Sequence, residues 1–160
     1  MATRVGWGFD AHRFGGDPPV ILAGVPIAAP SGLMATSDGD VAVHAVIDAL
    51  LGAAALGDLG AHFPSSDDRW RGADSLDLLR EAVRLASNAG VIAASADVTV
   101  VAEAVPISPH REAMRANLAS ALGIPVAAIS VKATTTDGMG FIGRGEGIAA
   151  MAVVVAHASP

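Results

Sequence analysis

Cysteine is absent from all 160 residues. Disulfides are thereby excluded, and any transition-metal site has to be assembled from histidines and carboxylates. Positive charge is scarce: 10 Lys and Arg stand against 16 Asp and Glu, a formal net charge of −6 with a pI of about 5.1. With no basic cluster, a nucleic-acid partner is not expected. A phosphorylated ligand would have to be held by metal ions or helix N-termini. Long apolar runs are missing too. The longest, "VAVHAVIDALLGAAAL" over 41–56, is interrupted by His44 and Asp48. It falls short of the roughly 18–20 apolar residues that span a bilayer. The opening "MATRVGWG" lacks the charged, apolar and cleavage regions of a secretion signal. A cytoplasmic protein with no membrane partner is expected. Repeats, low-complexity tracts and linkers are absent as well, so 1–160 is read as one domain.

What is present is apolar. Hydrophobic residues make up 52% and charged ones 16%, with mean hydropathy +0.50. That balance predicts a surface partly buried against another subunit. "RVGWGFDAHRF" alternates as a strand leading into a loop, and "PVILAGVPIA" reads as a hairpin punctuated by Gly24 and Pro26. "SDGDVAVHAVIDALLGAAALGDLG" predicts a helix buried on most sides, with Ser37, Asp38 or Asp40 as cap and Gly57 as terminator. A polar loop over 63–74 precedes an amphipathic helix that ends at Gly90. "ADVTVVAEA" reads as a strand, and "SPHREAMRANLASALG" as a helix with Ser108 as cap and Pro109 in its first turn. "AISVKATTT" and "GEGIAAMAVVVAHA" are strands joined by a glycine-rich segment. Sequentially mixed strands and helices define an α/β class. Met34, Met139 and Met151 are read as core, and Trp7 and Trp70 as packing residues.

Three groups of residues bear on chemistry. Asp10 and His12, two apart on a strand, leave on the same face and can reach one ion. His44, in the first turns of the main helix, is a third candidate ligand. Two histidines and a carboxylate with an open fourth position form a known catalytic zinc arrangement; an Asp10–His12 ion pair beside a core histidine is the alternative. Asp48 stands one turn beyond His44, placed to accept from its second nitrogen or simply to make a helix contact. Thr134, Thr135 and Thr136, followed by glycines, offer hydroxyl and main-chain donors to phosphate oxygens, and Asp137 offers a carboxylate to magnesium. A plain β-turn loop would use the same glycines.

Taken together, "GFDAHRF", "SDGDVAVHAVIDALLGAAALGDLGAHFP", "GADS" and "KATTTDGMGFIGRGEG" resemble the 2-C-methyl-D-erythritol 2,4-cyclodiphosphate synthase family of non-mevalonate isoprenoid biosynthesis. The likeness runs in order across nearly the whole chain. It implies an α+β domain with a mainly four-stranded mixed sheet, helices on one face and a small N-terminal hairpin. It also implies a homotrimer with an active site at each subunit junction. The substrate would be 4-diphosphocytidyl-2-C-methyl-D-erythritol 2-phosphate, whose 2-phosphate attacks the β-phosphorus and expels CMP. Zinc would be held at Asp10, His12 and His44, and magnesium (or manganese) at Asp137. Thr135 matches a position that stabilises the transition state, with Thr134 and Thr136 beside it. Ser37, Asp58, Leu59 and Gly60 match contacts to the phosphates and the methylerythritol hydroxyls, and the loop Phe63, Pro64, Ser65, Ser66, Asp67 closes that end. The cytidine loop corresponds to Ala102, Glu103, Ala104, Val105, Pro106, Ile107 and Ser108 of a neighbouring subunit. Phe141 and Arg144 match positions near the trimer axis, where some members bind an isoprenoid diphosphate.

Three departures from the family pattern stand out. "TSDGD" puts Thr36 where the family has a phosphate-contacting histidine, so a hydroxyl replaces an imidazole that can carry charge. Val105 and Pro106 replace a Pro-Lys pair, which removes a charge and a main-chain N–H. Asp137 shortens a glutamate, and Gly138 follows it in place of a frequent lysine. A family-fold trimer that binds zinc and a diphosphate but turns over weakly is therefore the alternative reading. A zinc hydrolase is a third, without a clear general base.

Overall fold

The computed structural model describes residues 1–159. Strand β1 (Ala2–Gly16) is the spine of the molecule. It pairs antiparallel with β7 (Gly147–Ala158) over twelve residues, from Ala2 opposite Ala158 to Arg13 opposite Gly147. Beyond β7 lie β5 (Val91–Val101), antiparallel, and β6 (Ile129–Thr134), parallel to β5. The two-residue β4 (Gly32–Leu33) pairs on the outer side of β1, giving the order β4-β1-β7-β5-β6. The expected four-stranded mixed sheet is thus present with one short strand added. The hairpin is also present, as β2 (Val20–Leu22) and β3 (Val25–Ile27).

Helices α1 (Val41–Ala53), α3 (Ser75–Asn88) and α4 (Arg111–Leu122) pack over one side of the sheet. The alternation of "GWGF" explains how α1 lies so close. Gly6 and Gly8 point toward it, and a Cβ there would stand 1.7 Å from the Ala49 carbonyl oxygen and 2.0 Å from that of Ala45. The intervening residues point the other way: Val5 (65% exposed), Trp7 (62%) and Phe9 (45%) lie on an open apolar face. The helix start is anchored by Asp40, fully buried, which accepts from the Val43 N–H as a cap. The same carboxylate accepts from Ala23 and Gly24 N–H at 2.9 and 2.7 Å. Both of those turn residues have positive φ, as a tight two-residue hairpin needs.

Several boundaries differ from expectation. Helix α1 stops at Ala53 rather than at Gly57, because the chain reverses through Ala55 (φ 57°). Asp48 then draws the Leu59 N–H back to 2.7 Å, and a short α2 (Leu59–His62) follows, capped by Asp58. Ser108 makes no side-chain cap bond; it opens a 3-10 turn with Pro109 and His110, and α4 starts at Arg111. The glycine-rich segment contains a single helical turn, α5 (Gly140–Gly143). Met34 and Met139 are exposed rather than core, at 52% and 68%, because each sits in a loop at the edge of the sheet. No helix of the described residues is long and apolar enough to cross a membrane.

Candidate active site

Every group with chemical promise lies at one end of the sheet. Strands β1, β5 and β6 all end there, β7 begins there, and β4 leads from it into the loop that starts α1. On β1, Asp10 and His12 continue the Gly6–Gly8 face, beyond the region covered by α1. His44, in the first turn of α1, meets them: its Nδ1 is 2.9 Å from Asp10 Oδ2. His12 Nε2 is 3.0 Å from the same oxygen and 3.4 Å from His44 Nδ1. Three ligand atoms therefore converge on one point.

The chemistry of the set fits a divalent ion. Donor atoms around tetrahedral zinc at about 2.0–2.1 Å sit about 3.3 Å apart. The three spacings here bracket that edge. His12 Nδ1 lies 2.9 Å from the Met34 carbonyl, which only accepts, so Nδ1 carries a proton and Nε2, facing Asp10, is the nitrogen available to an ion. Burial pushes the Asp10 carboxyl up. Hydrogen bonds from His12 and His44, with their charges, outweigh it and hold the group well below the usual carboxylate range. His12 is raised, chiefly by its bond to Asp10, against an opposing effect of burial.

A cleft of roughly 370 Å³ opens beside this cluster, within the range of small-molecule sites. Thr36, Ser37, Asp48, Asp58, Leu59, Gly60, Phe63 and Ser65 line it together with the three ligands. Phe63 is held edge-on against Trp70, 5.1 Å between centroids, and Trp70 also lines the cleft, a contact that a packing role alone did not foretell. Pro64, Ser66 and Asp67 do not line it; Asp67 caps a 3-10 turn and pairs with Arg69 instead.

Asp48 is not the acceptor for the second nitrogen of His44. Its carboxylate takes the Leu59 N–H, and burial raises its pKa. His44 Nε2 instead lies 2.8 Å from Ser75 Oγ and 3.2 Å from Ser37 Oγ. Ser75 belongs to the quoted "GADS", but nothing in its spacing pointed to His44.

The second group of expected residues is at the same end of the sheet, but apart. The Ala11 row runs through Ala149 and Val101 to Thr134, three strand spacings, or about 14 Å, away. Thr136, Asp137, Gly138 and Met139 form a tight turn in which Asp137 and Gly138 both have positive φ, closed by Met139 N–H to Thr136 O. An Asp-Gly pair suits that turn. Glu103 Oε1 accepts from Thr136 N–H at 2.8 Å and Thr136 Oγ1 at 2.9 Å, which ties the turn to the loop after β5. In that loop Ala102, Val105 and Ile107 are buried, while Glu103, Ala104, Pro106 and Ser108 are exposed. Phe141 lines a smaller hollow of roughly 290 Å³ with Ala11, His12, Arg13, Glu146 and Gly147. Arg144 pairs with Glu146 at 2.7 Å.

An α/β domain with a three-ligand, metal-capable site at the mouth of a small-molecule cleft defines a class of small-molecule enzymes. Within it the particular assignment is plain. Residues 3–157 match the YgbB family, and the chain belongs to that family. It is similar to the 2-C-methyl-D-erythritol 2,4-cyclodiphosphate synthase of Erwinia tasmaniensis, at 54% identity over 152 residues, 95% of this chain and 97% of that one. Among solved structures it is similar to the bifunctional IspDF from Campylobacter jejuni (TM-score 0.95, 40% identity), covering 99% of this chain and 43% of that longer one. It is also similar to a 2C-methyl-D-erythritol-2,4-cyclodiphosphate synthase in its CDP-bound form (TM-score 0.87, 38% identity), covering 96% and 100%.

Proposed function

We propose that this protein is a 2-C-methyl-D-erythritol 2,4-cyclodiphosphate synthase. It converts 4-diphosphocytidyl-2-C-methyl-D-erythritol 2-phosphate to the cyclic diphosphate and CMP, in the cytoplasm. The observation that carries the reading is the convergence of Asp10, His12 and His44 beside the cleft that holds Ser37 and Asp58. Zinc at the three-ligand site, and magnesium or manganese at Asp137, would supply Lewis-acid neutralisation of phosphate charge. The nucleophile is already a phosphate anion, so the chain's task is alignment and charge balance rather than proton abstraction. Ser37 and Thr36 offer hydroxyls to phosphate oxygens, and Asp58 accepts from a sugar hydroxyl. Leu59, Gly60, Phe63 and Ser65 enclose that end. Thr135 presents a hydroxyl donor to the transferring phosphate, with Thr134 and Thr136 beside it.

The reading requires more than one chain. In a single protomer the Ala102–Ser108 loop and the threonine turn stand two and three strand spacings from the strand that carries Asp10 and His12. A homotrimer joined through the open apolar face would bring those groups of one subunit to the cluster of its neighbour. Near such an axis, Phe141 and Arg144 suit an isoprenoid diphosphate. Zinc stoichiometry and turnover of Asp10→Ala test the assignment. Both should be lost together; zinc retained at the wild-type ratio would contradict it.

A further inference from the structure

The two ring nitrogens of His44 keep different company. Nδ1 faces Asp10 and His12; Nε2 lies 2.8 Å from Ser75 Oγ. Ser75 is fully buried at the start of α3, and its hydroxyl donates to Asp38 Oδ1 in a close contact. Its main-chain N–H bonds the other carboxylate oxygen at 2.9 Å. A hydroxyl has one proton to give, and a carboxylate at neutral pH has none. The direction of the chain is therefore forced. Ser75 gives its proton to Asp38 and offers His44 only lone pairs, so His44 must donate from Nε2. Nδ1 is then the nitrogen that a metal can take, at the point where Asp10 and His12 converge.

We propose that Asp38 and Ser75 are positioning residues that, through this one-way hydrogen-bond chain, hold His44 as an Nδ1 metal ligand. The inference rests on the metal reading of the Asp10–His12–His44 cluster and goes beyond it, because neither residue touches the ion position. It parallels the arrangement at His12, whose Nδ1 meets the acceptor-only Met34 carbonyl. Both rings are thus oriented by partners that cannot donate back, one from the loop after β4 and one from α3. That α3 partner joins the ordering of the metal site to the seating of α3 on α1.

The test compares wild type with Ser75→Ala and the near-isosteric Asp38→Asn. Zinc affinity is measured by chelator competition, melting temperature in EDTA, and ligand set from the visible spectrum of the cobalt(II) forms. In Asp38→Asn the amide can donate to Ser75, freeing that hydroxyl to donate to His44 and reversing the chain. Both variants should lose about tenfold in zinc affinity, the low end of the 10–100-fold range for outer partners, because Ser37 Oγ also borders Nε2. The cobalt(II) band should weaken, melting in EDTA should stay close to wild type, and Ser75→Thr, which keeps the hydroxyl, should restore affinity. Wild-type zinc affinity in both variants would overturn the proposal while leaving the metal site intact. A fall in EDTA melting with unchanged metal affinity would also overturn it, since that marks a purely structural role. A wild-type protein that takes up no zinc would overturn the metal reading itself, and the proposal with it.

Discussion

Replacing Gly8 by alanine should damage the metal site from a residue that never touches it. The new Cβ would stand 2.0 Å from the Ala45 carbonyl oxygen and 2.8 Å from the Ala49 nitrogen, both backbone atoms. Ordinary contact begins at 3.4 Å, so α1 and β1 must separate locally by about 1.4 Å. No rotamer change can relieve this. His44 immediately precedes Ala45, and Asp10 is two residues beyond Gly8, so the separation opens the 2.9 Å contact between them. Overpacking of this kind costs about 3 kcal/mol or more, at the upper end of the usual range. For a domain of this size that lowers the melting temperature by about 6–12 °C. Chelator competition should show zinc affinity reduced more than about tenfold. Gly52→Ala on the same helix meets nothing within 4 Å and is the matched control. It should raise stability by about 0.5–1 kcal/mol, as alanine does in a helix. Wild-type melting and zinc uptake in Gly8→Ala would refute the claim that the close helix–strand approach sets the ligand geometry.

The remaining predictions concern the rest of the site. Thr36→His should raise turnover modestly, well under the roughly hundredfold change typical of an essential oxyanion donor; steady-state kinetics decide, and a larger gain would mark the threonine as a defect. Mixing inactive Asp10→Ala with inactive Asp137→Ala by co-expression should restore about a quarter of wild-type activity, because random assembly of a symmetric oligomer rebuilds that share of intact junctions. No recovery would argue against sites shared between subunits. Hydrogen bonds from the Thr136 N–H and hydroxyl lower the pKa of Glu103, so its tether is intact above the ordinary glutamate range near 4.5 and is lost as pH falls through the lowered value. Amide exchange at Thr136 and Gly138 should therefore quicken at acid pH beyond the intrinsic trend in wild type, and be insensitive to that change in Glu103→Gln.

How much of this was legible in the sequence differs residue by residue. Asp10 and His12 could be paired because alternation along a strand is a rigid rule, and Asp40 could be read as a cap because its position before an apolar helix is a local signal. The hairpin and the order of strands and helices followed from the same short-range patterns. Asp48 shows where that reasoning ends: helical spacing placed it near His44 but could not say which ring nitrogen faced it. The true partner, Ser75, is 31 residues away and arrives only when α3 docks. Likewise the chain reversal after Ala53 depends on Asp48 capturing Leu59, a contact that periodicity does not encode. Hydrophobicity alone does not distinguish a core methionine from one in a loop at the sheet's rim, as Met34 and Met139 show.

The most direct measurement is turnover of the metal-replete protein with 4-diphosphocytidyl-2-C-methyl-D-erythritol 2-phosphate, followed by phosphorus NMR. The account predicts CMP and the cyclic diphosphate formed in equal amounts as the substrate disappears. Intact substrate in the presence of trimeric, zinc-loaded protein would contradict it.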